Sequence, residues 1–264
     1  MGFLSTRSHE RQRREMVDRQ ILRRGISDEV VLRAMNLVPR HAFVPDSQAR
    51  AAYADCALPI GYGATISQPY VVALMTAALH PTPGIRVLEV GTGSGYQAAI
   101  LAACGATVFS IERVAPLHER AARALAATGF GSVTLRLGDG SRGWPEEAPF
   151  DRIIVTAAAP AVPTALREQL GDQGILIAPV GDDRSQIVRR YLKRGSEFEV
   201  RLPLAASALP ADQATPPSGA ARGGQRLVVI EDQDDNRNML SKLLALQGFE
   251  VSAAANGIEG LRLL

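Results

Sequence analysis

The sequence predicts an α/β fold in which helices cover both faces of a doubly wound, mostly parallel β-sheet. The first observation behind this prediction is that short apolar runs alternate with helical patterns in the middle of the chain, as they do when crossover helices connect parallel strands. The second is a glycine-rich turn that follows the first run and leads into a helix. The predicted parallel strands are Arg86–Val90, Thr107–Ile111, Val133–Leu137, Arg152–Thr156 and Gly174–Val180.

The helices between these strands are predicted from apolar residues that recur at helical spacing. They are Tyr96–Cys104, Pro116–Thr128 and Pro163–Leu170. Two further segments after the last parallel strand are expected to close the sheet as antiparallel strands, Ser185–Lys193 and Glu197–Leu202.

Two helices are predicted ahead of the sheet, His9–Arg24 and Ser27–Leu37. Gly25 ends the first helix, and the Ser-Asp pair at the start of the second is a helix-capping signal. Pro and Gly residues then recur from Pro39 to Pro69, so this stretch is expected to be rich in turns.

The composition is that of an ordinary globular protein: 264 residues, 46% apolar and 21% charged. A formal charge of +2 is too small to indicate nucleic acid or a membrane as a partner. Cys56 and Cys104 lie far apart and no two His residues share a ligand spacing, so no metal site is predicted. The chain shows neither a signal-peptide pattern nor an apolar run of ~20 residues, and a cytoplasmic location is expected.

The composition changes near residue 205. Residues 205–225 contain almost no large apolar side chains and are predicted to be a flexible linker, because they cannot bury enough surface to fold. They would separate a larger α/β domain at 1–204 from a short strand–helix–strand–helix pattern at 226–264.

The glycine-rich turn gives the first indication of a ligand. Gly91, Gly93 and Gly95 follow the first strand and let the backbone turn tightly and approach a ligand closely. A dinucleotide-binding Gly-x-Gly-x-x-Gly spacing would need glycine at the position of Tyr96. Glu89, two residues before the first glycine, suits a ligand with an ammonium group better than one with a pyrophosphate.

Two further acidic residues stand at the ends of the next strands. Glu112 ends the second strand, where a carboxylate can accept hydrogen bonds from ribose hydroxyls. Asp139 and Gly140 follow the third strand, where a carboxylate and an open backbone can meet an adenine amino group. Since carboxyl ends of parallel strands meet at one edge of the sheet, these residues together indicate S-adenosylmethionine (AdoMet) as the ligand.

Residues from about 10 to about 200 resemble the protein-L-isoaspartate O-methyltransferases. The glycine-rich motif occurs in many methyltransferases, whereas ATISQPY is much more specific to this family. The matching segments are LVPRHAFVP (Leu37–Pro45), ALPIGYGATISQPYVVALM (Ala57–Met75), RVLEVGTGSGYQAAILA (Arg86–Ala102), IER (Ile111–Arg113), the GDG around Asp139, and FDRIIVTAAAP (Phe150–Pro160).

The resemblance implies a Rossmann-like AdoMet-dependent fold and methylation of the free α-carboxyl of L-isoaspartyl residues in damaged proteins and peptides. It makes Ser67 the active-site residue, with Thr65, Ile66 and Gln68 beside it along the substrate groove. The residues that it assigns to AdoMet binding are Glu89, Gly91, Gly93, Gly95, Glu112, Asp139 and Gly140. The family's closing Phe-Val-Pro-Leu-like strand is represented here only by Arg201–Leu204.

The expected chemistry needs no strong general base. A carboxylic acid with a pKa of about 3.3–3.9 is already ionised at neutral pH, so the Ser67 hydroxyl needs only to hold it in position. On chemical grounds alone, Ser67 could equally be the N-cap of a helix that begins near Pro69. Methylation of a small-molecule acid, or a signalling fusion, are the alternative functions.

The last segment resembles the start of a response-regulator receiver domain. VVIEDQDDNRNML (Val228–Leu240) matches the first strand, the acidic pair and the first helix of that family. The resemblance implies that Glu231 and Asp232 form a magnesium-binding pair, while the third-strand aspartate that accepts phosphate is not reached. An incomplete receiver-like fragment is therefore expected.

Overall fold

The strands and helices were located in a computed structural model, which describes residues 2–157, 161–181, 186–195, 197–201, 226–230, 241 and 250–254. The helices are α1 (Gly2–Met16), α2 (Glu29–Leu37), α3 (Pro69–Leu79), α4 (Tyr96–Ala103), α5 (Ala115–Ala127) and α6 (Thr164–Glu168). The strands are β1 (Leu58–Gly61), β2 (Ala64–Ile66), β3 (Arg86–Val90), β4 (Thr107–Glu112), β5 (Thr134–Leu137), β6 (Phe150–Val155), β7 (Leu170–Gly181), β8 (Gln186–Arg194), β9 (Glu197–Arg201), β10 (Arg226–Ile230) and β11 (Glu250–Ala254).

Strands β3 to β9 form a seven-stranded sheet in the order β5-β4-β3-β6-β7-β8-β9. The pairs from β5 to β7 are parallel, and the pairs β7–β8 and β8–β9 are antiparallel. Because β3 lies between β4 and β6, the strand order reverses at β3, and open α/β sheets bind ligands at such a point. The prediction of a doubly wound, mostly parallel sheet with antiparallel closing strands is confirmed.

The central strands β3, β4, β6 and β7 are buried on both faces along most of their length, which explains why they are mainly apolar. Alternate residues of one strand belong to different hydrophobic clusters: Val87 packs on one face and Leu88 on the other. Ile154 and Ile153 of β6 divide in the same way. The first face carries α3 and α4, whose small and apolar residues pack against it.

The N-terminal region differs from its prediction in detail. In place of one helix over 9–24, α1 is followed by a π-helical turn at Val17–Ile21 and a 3₁₀ turn at Leu22–Arg24. Val17 and Ile21 are both buried, so packing decides the form of this turn more than helical propensity does. The predicted cap is present: the Asp28 carboxylate accepts hydrogen bonds from the first amides of α2.

A β-hairpin lies within the stretch that was expected to be rich in turns. Strands β1 and β2 pair antiparallel, with Leu58 opposite Ile66. The turn between them has positive φ at Gly61, Tyr62 and Gly63 (90°, 55° and 72°). The Arg120 side chain of α5 donates a hydrogen bond to the carbonyl of Ile60, which ties the hairpin to the region that follows β4.

The chain divides into two compact units, residues 1–209 and 210–264. In the second unit β10 and β11 pair in parallel, as expected for the two strands of the pattern at 226–264. Glu231, Asp232 and the predicted linker at 205–225 lie outside the described residues. In the part of the chain that the structure describes, no helix is long and apolar enough to span a membrane.

Candidate active site

An open cleft lies at the carboxyl edge of the sheet. It brings together six predicted site residues: Thr65, Ile66 and Ser67 from the substrate segment, and Glu89, Gly91 and Gly93 from the glycine-rich turn. Further side chains that the sequence did not single out also line it: Val71, Val72, Met75, Thr92, Ser94, Tyr96, Gln97 and Thr156.

The glycine-rich turn is held in place by the two strands that flank β3. The amides of Gly91 and Thr92 both donate to the carbonyl of Ile111 in β4, at 2.8 and 3.2 Å. The Thr156 hydroxyl, just after β6, donates to the Gly91 carbonyl at 2.5 Å. Gly91 has φ of 100°, and a Cβ there would lie 2.7 Å from that hydroxyl oxygen, so only glycine fits.

Gly95, the last glycine of the turn, makes room for helix packing. Its φ is 87°, and a Cβ would lie 3.3 Å from side-chain atoms of Ala121 and Leu125 in α5. It is also absent from the residues that line the cleft. The glycine at this position therefore lets α4 begin close to α5.

Glu89 is fully buried and lines the cleft. Its Oε2 accepts a hydrogen bond from the Ser110 hydroxyl, which is also hydrogen-bonded to Thr92 Oγ1 at 2.6 Å. Its Oε1 is buried without a hydrogen-bond partner. Burial raises the pKa of Glu89 from 4.5 to about 8; the Ser110 hydrogen bond lowers it and the charge of Glu112 raises it further.

Glu112 is buried at the end of β4 and links the glycine-rich turn to this strand. Its Oε2 accepts a hydrogen bond from the Gly93 amide at 2.7 Å, and its Oε1 accepts one from the Val114 amide at 2.9 Å. The predicted approach of the second strand tip to the glycine-rich turn is thus present in the structure.

The third strand tip reaches the same edge, but its carboxylate lies outside the cleft. The Gly138 amide donates to the Glu112 carbonyl at 2.9 Å, and a Cβ on Gly140 would lie 2.5 Å from a Val90 methyl group. The Asp139 carboxylate is exposed and accepts a hydrogen bond from the Ser141 amide, which lowers its pKa. Neither Asp139 nor Gly140 lines the cleft.

The segment 65–68, which is predicted to bind the substrate, runs from β2 to the start of α3. The N-cap of α3 is Gln68 rather than Ser67, and no side chain caps the helix, so the interpretation of Ser67 as a helix cap is wrong. The Gln68 side chain turns away from the cleft lining and donates to the Asp55 carboxylate at 2.8 Å. Arg24 forms an ion pair with the same carboxylate, and its guanidinium carbon lies 3.6 Å from the centroid of the Tyr70 ring. These residues form a polar rim beside Ser67.

Arg40 also contacts this segment, although it was not predicted from the sequence to be a site residue. It is fully buried, and its Nη2 donates to the carbonyl of Ser67 at 2.7 Å. A charged residue inside the apolar LVPRHAFVP segment was a signal for such a role, but the sequence could not show what the arginine contacts.

A ligand with an ammonium group suits this site, because Glu89 offers a buried acceptor without a partner in the lining of the cleft. The switch point at β3, the glycine-rich turn and this acceptor define the chain as a Rossmann-like methyltransferase that uses AdoMet. The family model for protein-L-isoaspartate(D-aspartate) O-methyltransferase (PCMT) matches residues 11–210. The chain belongs to this family and is an AdoMet-dependent protein carboxyl methyltransferase.

Relatives in several organisms carry the same family name. The protein-L-isoaspartate O-methyltransferase of Synechococcus sp. (strain JA-2-3B'a(2-13)) is 56% identical over 174 residues, which are 66% of this chain and 71% of the relative. That of Methylorubrum extorquens (strain PA1) is 55% identical over 190 residues, which are 72% of this chain and 83% of the relative.

Solved structures of this family are similar to this chain. One protein-L-isoaspartate O-methyltransferase matches with a TM-score of 0.65 and 30% identity over 72% of this chain, which spans 63% of that structure's chain. A beta-aspartate methyltransferase (PCMT) from Plasmodium falciparum, in complex with S-adenosyl-L-homocysteine, matches with a TM-score of 0.65 and 25% identity over 72% of this chain and 93% of that one.

The buried Glu89 predicts a pH-dependent loss of stability. Between the ordinary pKa of 4.5 and the folded-state pKa of about 8, the folded chain holds a proton that the unfolded chain has released. Stability contributed by this group is therefore present at acid pH and is lost as the pH rises through about 8. Relative to Glu89→Gln, the wild type should lose up to about 1.4 kcal/mol per pH unit in that window.

Urea denaturation of the ligand-free protein from pH 5 to pH 9 measures this difference. Glu119→Gln is the matched control, because Glu119 is exposed on α5 and its only described ion pair is to Arg123. A free-energy difference between wild type and Glu89→Gln that does not change with pH would contradict the prediction.

Proposed function

We propose that Ser67 holds the α-carboxylate of an L-isoaspartyl residue against the methyl group of AdoMet, with Thr65, Ile66 and Gln68 along the peptide groove. The observation that carries the proposal is that Thr65, Ile66 and Ser67 line the same cleft as Glu89 and the glycine-rich turn. Donor and acceptor can thus meet in one cleft. The Gln68 contact to Asp55 supports a position at the rim of the groove for its side chain.

The AdoMet-binding roles follow the positions of the acidic residues. Glu89 Oε1 is an acceptor for the ammonium group, and a cation beside it favours the ionised carboxylate. Glu112, bound to the Gly93 amide, is the ribose acceptor. Asp139 and Gly140 contact the adenine from the neighbouring strand tip. Gly91, Gly93 and Gly95 shape the turn on which the ligand lies.

The residues that line the cleft can supply positioning without a base. Bound AdoMet would supply the methyl group, and the isoaspartyl carboxylate that accepts it is already ionised at neutral pH, so no proton has to be removed from the acceptor. A serine hydroxyl can donate to one carboxylate oxygen and leave lone pairs for the reaction. Holding that oxygen ~3–3.5 Å from the methyl carbon can contribute ~7–11 kcal/mol to the rate.

Repair follows from the product. The methyl ester is more electrophilic than the carboxylate, so the neighbouring backbone amide nitrogen attacks the ester carbonyl carbon, closes a succinimide and expels methanol, which takes up the amide proton. Hydrolysis of the succinimide returns part of the residue to normal aspartate. The partners of this chain are accordingly proteins and peptides that contain isoaspartyl residues.

For the domain organisation we infer that 1–204 is the methyltransferase domain, 205–225 a linker and 226–264 a receiver-like fragment. The parallel pair β10–β11 agrees with the start of such a fragment but is common to many α/β folds. In the first unit, the last described strand of the sheet ends at Arg201, inside the proposed domain.

Ser67→Ala should lower turnover of an isoaspartyl peptide roughly 10- to 100-fold, because a hydrogen bond to a charged group contributes ~1.5–3 kcal/mol. AdoMet affinity should stay nearly unchanged, since the hydroxyl is assigned to the acceptor. The measurement is transfer of labelled methyl to the peptide, with the matched aspartyl peptide as control. Wild-type kinetics in the variant would remove Ser67 from the site.

Glu112→Gln should weaken AdoMet binding by about 1.5–3 kcal/mol, because a charged acceptor to the ribose becomes neutral. Titration calorimetry gives the dissociation constant. Glu119→Gln, exposed on the next helix, is the control and should bind as the wild type does. Equal affinities for all three proteins would show that Glu112 has no part in cofactor binding.

A chain that ends at residue 204 should keep methyltransferase activity within about twofold of the full chain, as expected for a domain with its own core. Its kcat/KM on the isoaspartyl peptide and its melting temperature provide the measurement. A large loss of kcat/KM with an unchanged melting temperature would mean that 205–264 takes part in catalysis.

A further inference from the structure

Arg40 is a buried cation that has no anionic partner among the described residues. The residue lies in the 3₁₀ turn Arg40–Phe43 and is fully buried. Its Nε donates to the Ala52 carbonyl at 2.8 Å and its Nη2 to the Ser67 carbonyl at 2.7 Å. None of the ion pairs among the described residues includes Arg40, and its Nη1 is buried without a hydrogen-bond partner.

Burying an arginine with these partners destabilises the folded chain, so stability alone does not explain its presence. A buried charge normally has a counterion, and a buried donor normally has an acceptor, because both lose their hydration when the chain folds. Burial accordingly lowers the pKa of Arg40, although an arginine remains charged at neutral pH. A positive charge that the fold leaves uncompensated is available to an anion that binds nearby.

Arg40 does not itself line the cleft, but two contacts connect it to residues that do. The hydrogen bond to the Ser67 carbonyl fixes the main chain of the residue whose hydroxyl faces the acceptor in the proposed function. The guanidinium also lies over the ring of Tyr96, 4.9 Å from its centroid, and Tyr96 lines the cleft. Dehydrated surroundings strengthen the attraction between such a charge and an anion.

We propose that Arg40 is a positioning residue for methyl transfer: it fixes Ser67 through its main-chain carbonyl, and its uncompensated charge selects an anionic acceptor, the ionised carboxylate of the isoaspartyl residue. The inference rests on the proposed role of Ser67. According to this inference, the charge of Arg40 increases the affinity for the acceptor. The hydrogen bond from Arg40 to Ser67 increases turnover, because it places Ser67 correctly.

Two variants separate these contributions. Arg40→Met removes the charge and both hydrogen bonds, whereas Arg40→Lys keeps the charge but cannot reach both carbonyls as the guanidinium does. Arg152→Lys is the matched control, because the Arg152 Nε donates to the Leu79 carbonyl at the other end of α3, away from the residues that line the cleft.

The dissociation constant of a labelled isoaspartyl peptide is measured by anisotropy with S-adenosyl-L-homocysteine present, so that acceptor affinity is read without turnover. It should rise roughly 10- to 100-fold in Arg40→Met and far less in Arg40→Lys. In Arg40→Lys, kcat should fall by a larger factor than affinity. Affinity for S-adenosyl-L-homocysteine should stay at the wild-type value in both variants, and Arg152→Lys should change only the melting temperature.

Several outcomes would overturn the proposal. Wild-type kcat and peptide affinity in Arg40→Lys and Arg40→Met, together with a lower melting temperature, would make Arg40 a structural residue only. If Arg40→Met does not fold, an unchanged kcat in Arg40→Lys overturns it alone. A wild type that binds isoaspartyl and aspartyl peptides equally would instead contradict the proposed function, which the peptide control reveals separately.

Discussion

The position of Glu89 in the sheet is the constraint on which the rest of the site depends. A carboxyl group in the interior of β3 loses its hydration, which raises its pKa to about 8, and one of its oxygens has no partner. The neighbouring strand supplies Ser110 as a donor to the other oxygen. This polar group can remain in the core only because the chain turns at Gly91 and opens a cleft beside it.

The glycine-rich turn is held by the strands on either side of β3. Strands β4 and β6 fix it through the Ile111 carbonyl and the Thr156 hydroxyl. The segment before α3 brings Ser67 into the lining of the same cleft, and the buried Arg40 donates a hydrogen bond to its main-chain carbonyl. Contacts that hold the lining in place reduce the entropic cost of bringing two reacting groups together there.

The strands β3 and β4 could be predicted to within a residue because each is a mainly apolar run, whereas β6 begins two residues and β7 four residues earlier than predicted. The N-terminal region could not: nothing local distinguishes a continuous helix over 9–24 from the π turn at Val17–Ile21, whose buried side chains follow from packing. The β1–β2 hairpin also escaped prediction, because Pro and Gly dominate the local pattern while its burial depends on distant parts of the chain.

By itself the sequence predicted the fold class and the ligand, since strand periodicity, the spacing of glycines and the carboxylates at strand ends are local features, and its resemblance to known sequences indicated the family. Tertiary structure alone decided how each side chain is used. The exposed Asp139 carboxylate accepts a hydrogen bond from the Ser141 amide, and the Gln68 side chain donates one to Asp55. Arg40 is buried and donates a hydrogen bond to the Ser67 carbonyl. These contacts depend on how the folded chain brings side chains and backbone groups together, and no pattern along the sequence records that.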